Sequence, residues 1–233
     1  MTKMKENTHT RRALLATGAA VATASIAGCT DRIPFIGDDP LEFSANLASV
    51  PQSVLDETGY DEHEQEEVVI EETVEAGGQS QEVIVTNWQT EYDKALELGE
   101  LPISVDEELR AGVFTVLTTP QVSVLGRTFN PVADMDSEEL AEMVQDQYGE
   151  FGDLEHVGEE SAVIAGESTT VGTFEGEATL AGENIPIDLR LHIAEPVESG
   201  DDFIIGIGGY PSQLQEQEQP HVFSMLEAIE HDE

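Results

Sequence analysis

Residues 186–194 read PIDLRLHIA, and this short stretch decides the fold class. In an extended chain the side chains alternate between two faces, so Ile187, Leu189, Leu191 and Ile193 line one side while Asp188, Arg190, His192 and Ala194 line the other. The pattern predicts a strand with one buried face and one wet face. A few residues on, Phe203-Ile204-Ile205 is apolar without alternation, as expected of a central strand covered on both sides. Between them these segments predict an antiparallel sheet in the last third of the chain.

Working outward, Pro220 starts a terminal helix whose apolar stripe is Val222, Phe223, Leu226 and Ile229. On the N-terminal side, Asp136-Ser137-Glu138-Glu139 has the form of a capping box. It opens a helix with Leu140, Met143, Val144 and Tyr148 on one face, up to Gly149. Gly112 to Thr118 and Gln121 to Leu125 read as a pair of strands separated by Pro120. Residues Glu67 to Glu75 and Gln81 to Tyr92 flank Ala76-Gly77-Gly78-Gln79 as a glycine-turned hairpin. A short helix around Val54 and Leu55 opens at Pro51 and closes near Gly59. Three helices and roughly eight strands result. The fold class is α+β, an antiparallel sheet flanked by helices, preceded by a cleaved signal peptide. Residues 41–233 form a single acidic domain.

Ahead of that domain stands TRRALLATGAAVATASIAGC, residues 10–29. Lys3, Lys5, Arg11 and Arg12 precede an uncharged run from Ala13 to Ala27, the layout of an export signal. The run is too short, and too diluted by Thr17, Gly18, Thr23 and Ser25, for a permanent span of about 20 residues. Arg11 and Arg12 match a twin-arginine signal, read by a receptor that passes folded proteins. Small residues then lead to Gly28-Cys29, which looks like a lipobox: cleavage between them would leave a lipidated cysteine as the new N-terminus. Cys29 is the sole cysteine of the chain, so no internal disulfide competes for it. Residues 1–28 are thus expected to be a lipoprotein signal peptide, and residues 29–40, which hold two prolines and a glycine, a lipidated cysteine with a short tether.

The chain carries 49 acidic side chains against nine lysines and arginines, a net charge of −40. Without residues 1–28, 48 carboxylates face only Arg32, Lys94, Arg110, Arg127 and Arg190. On a folded surface on the order of 9,000 Å² the net charges lie roughly 15 Å apart. The Debye length is about 30 Å at 0.01 M salt and about 3 Å at 1 M, so the compact state calls for concentrated salt. A disordered acidic chain is the competing reading, but 39% hydrophobic residues, clustered as VVI, VIV and FII, argue for a packed core. Nucleic acid is a repelled partner.

Catalytic motifs are missing. There is no G-x-S-x-G, H-E-x-x-H or phosphate-loop pattern, and no cofactor is expected. His192 is placed on the wet face, His156 and His221 stand alone in sequence, and His231 lies in the terminal tail. Gly206-Ile207-Gly208-Gly209-Tyr210 runs into Pro211 where a phosphate-binding helix should begin, so it is read as a tight strand exit. The run Asp61-Glu62-His63-Glu64-Gln65-Glu66-Glu67 is the one local cluster, with Asp61, Glu62, His63 and Glu64 as candidate ligands for a divalent ion, since hard ions take several oxygens. It lacks fixed spacing, and in so acidic a chain such clusters arise from composition, so a solvated loop is expected and a metal site is the alternative. Trp88, Tyr92 and Tyr60 are candidates for a binding patch, with Trp88 expected in the core.

The export signal, LEFSANLASVPQSVLDETGY (41–60), TPQVSVLGRTFNPVADMDSEELAEMVQDQYG (119–149) and the meander ending in GIGGYP resemble a family of haloarchaeal lipoproteins with no assigned activity. The resemblance implies location and lineage and no catalytic residue. The order of elements from TVGTFEG through FIIGIGGYP to the helix at HVFSMLEAIEH is similar to PsbP-like domains, α/β/α accessory folds of membrane complexes. The expected role is a non-enzymatic accessory or binding module, held to the outer face of the cell membrane through lipid on Cys29 and partnered by a membrane protein complex. A surface hydrolase or a weak divalent-cation binder is the alternative.

Overall fold

The computed structural model describes residues 39–76, 79–96, 109–124, 127–128, 132–148, 153–179 and 186–232. Strands β1 (Leu41–Ser44) and β2 (Ala48–Ser49) precede helix α1 (Gln52–Thr58). The hairpin β3 (Asp61–Ala76) and β4 (Gln79–Leu96) follows, then β5 (Leu109–Pro120), the short pair β6 (Ser123–Val124) and β7 (Arg127–Thr128), and α2 (Ser137–Tyr148). The remainder is β8 (Glu155–Ile164), β9 (Glu167–Thr179), β10 (Pro186–Ala194), β11 (Val197–Ser199), β12 (Asp202–Pro211), α3 (Gln215–Glu227) and β13 (Glu230–His231).

Among the described residues the main sheet has nine strands in the order β1-β4-β5-β12-β10-β9-β8, with β3 on the outer edge of β4 and β11 beside β12. Every pairing in it is antiparallel except β1 with β4. The central position of β12 explains its sequence. Ile204 points to the face where α3 packs with Val222, Met225 and Leu226. Ile205 points to the opposite face, against Leu140 and Ala141 of α2. The helices meet β8, β9, β10 and β12, whereas β3 is exposed along nearly its whole length. The molecule is therefore mostly sheet with three helices, a sheet-dominated α+β fold.

The local signals act where expected at both early helix ends. Pro51 and a left-handed Gly59 (φ 77°) bracket α1. At α2, Asp136 Oδ1 accepts from the N–H groups of Glu138 (3.0 Å) and Glu139 (2.9 Å), and Glu139 Oε2 accepts from the Asp136 N–H (3.2 Å), a reciprocal capping box.

Four expectations need correction. Residues 206–210 lie inside β12 and are no strand exit. Their glycines exist because α3 lies close above them: a Cβ on Gly206 would strike Leu226, and one on Gly208 would strike Val222. Residues 112–118 do not pair with the described residues 121–124; they lie in β5 and pair with β4 and β12, while Ser123 and Val124 pair with Thr128 and Arg127, and residue 125 lies outside the described residues. Pro220 sits inside α3, which starts five residues earlier after a 3₁₀ turn at Ser212–Leu214. Finally, Asp61 to Glu67 form the start of β3, with a bulge at His63, where a loop was expected. Pairing with β4, which carries Tyr92 and Thr90 into the core, fixes this polar run as a strand despite its composition.

Candidate functional site

Among the described residues, three clusters of buried polar groups are built around an ionisable side chain. The first joins both ends of the domain. Ser199 and Asp202 face each other across the two-residue turn Gly200-Asp201 that links β11 to β12. Strand β13 pairs with β2 and so brings His231 over this turn. The imidazole donates from Nε2 to Asp202 Oδ2 at 3.1 Å, and its Nδ1 faces Ser199 Oγ at 2.9 Å. Asp202 is 1% exposed. Its Oδ2 also accepts from the Asn46 backbone N–H (2.8 Å) and Asn46 Nδ2 (3.1 Å). That oxygen accepts from three donors, which places a hydrogen on His231 Nε2; in the neutral ring Nδ1 is then an acceptor. The Ser199 hydroxyl then donates to Nδ1. Far from lying in a loose tail, His231 belongs to strand β13, and its ring is buried.

The second cluster ties α3 to the hairpin. Glu218 is 0% exposed and accepts two bonds from Lys94 Nζ, at 2.8 Å on Oε1 and 3.1 Å on Oε2. The Tyr60 hydroxyl and Gln217 Nε2 add donors at 3.4 and 3.1 Å, and His221 Nδ1 lies 3.1 Å from Lys94 Nζ. Lys94 also stands 5.5 Å from the centroid of the Tyr60 ring. Burial first, and Glu218 second, push the Tyr60 phenol above its ordinary range, so it stays neutral.

The third lies between β9, β10, β12 and α3. His192 Nε2 is 2.7 Å from the Tyr210 hydroxyl, Nδ1 is 3.1 Å from Thr173 Oγ1, and the Phe223 ring meets the imidazole edge-on at 5.3 Å. The expected wet face of β10 is thus dry at this point, because α3 covers it. Burial, with Arg190 as a second cause, lowers the His192 pKa from 6.5 to about 4. Burial likewise raises the Tyr210 phenol above its usual value.

Open clefts lie on the surface of the described residues. One of about 450 Å³ is lined by Asp153, Glu155, Glu175, Glu177, Asp188 and Ser212. Another of about 460 Å³ is lined by Glu167, Ser168, Pro196, Val197, Glu198 and Gly200, beside the β11–β12 turn. Opposite these, β3 forms a sheet edge with eight carboxylates in its 16 residues, interrupted by Val69 (52% exposed) and Ile70 (46% exposed). Paired only to β4, it leaves its outer backbone groups unpaired within the sheet.

The sequence-predicted residues fare differently. Arg11, Arg12, Gly28 and Cys29 lie outside the described residues. Asp61, Glu62, His63 and Glu64 alternate along β3 and do not converge; the His63 ring turns to Asp93 at 3.3 Å. Among the described residues no group of three or more His, Cys, Asp or Glu is placed to hold a metal ion. Tyr60 and Tyr92 are buried, the Tyr92 hydroxyl accepting from the Val50 N–H at 2.9 Å, whereas Trp88 is only half-buried and does not belong to the core. His156 lies 3.0 Å from Glu138 of α2. The clusters around Asp202 and Glu218 join residues more than 120 positions apart, and no local spacing in the sequence announces them. No helix among the described residues is long and apolar enough to cross a membrane.

A family model described as a domain of unknown function (DUF6517) matches residues 47–230. No curated protein matches the chain. Two solved structures are similar at a distance. The solution structure of cyanobacterial PsbP (CyanoP) from Synechocystis sp. PCC 6803 is 11% identical over 81% of this chain and 93% of that one, with a TM-score of 0.37. The crystal structure of PA94, a protein of unknown function from Pseudomonas aeruginosa, is 10% identical over 64% of this chain and 89% of that one, with a TM-score of 0.31.

Proposed function

We propose, from the premise that the chain belongs to the DUF6517 family, that it is a lipid-anchored surface protein exported in twin-arginine fashion. Its domain acts as an accessory or binding module of a membrane complex in concentrated salt. The observation that carries the reading is the order basic pair, apolar run, small residues and sole cysteine over residues 10–29. An anchor of two or more acyl chains there is effectively stable, at about 0.8 kcal/mol per buried methylene. Strand β1 begins at Leu41, so the twelve-residue tether reaches at most on the order of 40 Å and keeps the domain at the membrane surface. The exposed β3 edge is the surface that supports a binding role, and its carboxylates disfavour pairing with a second copy of itself. The PsbP-like α/β/α arrangement suggested by the order of elements belongs to this same proposal.

The test is mass spectrometry of the membrane fraction. A mature N-terminus at a lipidated Cys29, with release of the Cys29→Ser variant into the soluble fraction, supports the proposal. An intact Met1 with an unmodified thiol in the cytosol removes it. One observation favours the surface-hydrolase alternative: the alignment of Ser199, His231 and Asp202.

A further inference from the structure

We propose that Ser199, His231 and Asp202 constitute an acyl-transfer site, in which Ser199 Oγ is a nucleophile, His231 its general base and Asp202 the residue that positions the imidazole. The inference rests on the β11–β12 turn and is independent of how the chain is anchored. Three features set this cluster apart from the other two. Its hydroxyl belongs to a half-buried residue, whereas Thr173 and Tyr210 beside His192 are buried. Its imidazole is oriented from behind by a buried carboxylate, which Asn46 holds in place through two hydrogen bonds. Its Nδ1 faces Oγ at 2.9 Å, within the range needed for proton removal. The Glu218 cluster contains no comparable hydroxyl facing an oriented base.

The chemistry balances with water alone. Ser199 Oγ adds to an ester carbonyl carbon as its proton passes to His231 Nδ1. The tetrahedral adduct collapses, the ester C–O bond breaks, and the proton moves from Nδ1 to the departing alcohol. Water then adds to the acyl group, giving a proton to Nδ1; the acid is released and Oγ recovers that proton. Asp202 takes no part in the proton transfers and accepts from Nε2–H throughout. Glu198 and Gly200, the chain neighbours of Ser199, line the second cleft, and strand alternation turns Ser199 to the other face, toward His231.

The experiment uses the mature full-length protein in molar potassium chloride with a fluorophosphonate probe, read by peptide mass spectrometry, and p-nitrophenyl acetate as the ester. The expected result is a single adduct on Ser199 and turnover of the ester. Ser199→Ala, which leaves the bond between His231 and Asp202 intact, abolishes both. His231→Gln lowers the labelling rate on the order of 10²-fold or more. Asp202→Asn does so in protein whose near-ultraviolet circular dichroism is unchanged, a loss that a purely structural tie would not produce. Folded protein that leaves Ser199 unlabelled, or equal labelling in His231→Gln, overturns the proposal. So does labelling without ester turnover.

Discussion

Replacing Lys94 by methionine tests how the fold manages charge. Lys94 is one of five lysines and arginines that follow Cys29, and its ammonium reaches both oxygens of Glu218 at 2.8 and 3.1 Å. Methionine keeps the apolar stem over Tyr60 but strands a carboxylate that is 0% exposed. At about 3 Å and an effective dielectric near 20, the Coulomb attraction is about 5–6 kcal/mol before desolvation is subtracted. Removing one partner of a buried pair costs about 3–5 kcal/mol. Since the Lys94 side chain is itself 12% exposed, the lower end applies, about 3 kcal/mol. For a domain of this size that is a fall in Tm of about 6–12 °C. The assay is thermal unfolding by circular dichroism at neutral pH in 3 M potassium chloride, where surface pairs are screened and a buried pair is not. Lys94→Met combined with Glu218→Leu should recover much of the loss, giving a coupling of about 1.5 kcal/mol or more. If the two single losses simply add, to within about 0.5 kcal/mol, the buried-pair reasoning fails.

Two further outcomes follow from burial. The folded-state pKa of His192, at about 4, lies below its unfolded value near 6.5. The unfolded chain therefore binds more protons between these pH values, and stability rises with pH. The contribution, roughly 3 kcal/mol, is fully present above pH 6.5 and lost as pH falls to about 4. Urea midpoints from pH 7 to 4 in molar salt should show this slope beyond that of His192→Gln; parallel curves refute it. Gly206→Val drives a side chain into Leu226 and should cost about 1–3 kcal/mol by overpacking. Gly158→Ala in β8 meets nothing within 4 Å and should stay within about 0.5 kcal/mol of the parent, measured by the same urea titration.

Periodicity in the sequence reports which side chains share a face, and it places β10, the β3–β4 hairpin, α1 and α2 close to where they fold. It cannot report whether a second layer covers the other face. His192 shows the limit: its position in the alternation is that of a wet residue, yet α3 lies over it and makes it dry. The glycines at 206 and 208 are the same lesson reversed. Read along the chain they resemble a turn, while in three dimensions they are the gap into which Leu226 and Val222 fit. The start of β3, Asp61 to Glu66, marks a third case, since its composition is that of a solvated loop and only the ladder to β4 makes it a strand.

By itself the sequence determined the acidic balance and the sheet-rich core, and it holds the short linear pattern on which the export and lipidation proposal rests, because charge, alternation and such patterns are properties of neighbouring residues. The tertiary structure alone decided that Ser199, His231, Asp202 and Asn46 meet, and that Lys94 finds Glu218. Those contacts span up to 156 positions, and only the register of the sheet and the packing of α3 bring their ends within a hydrogen bond of each other.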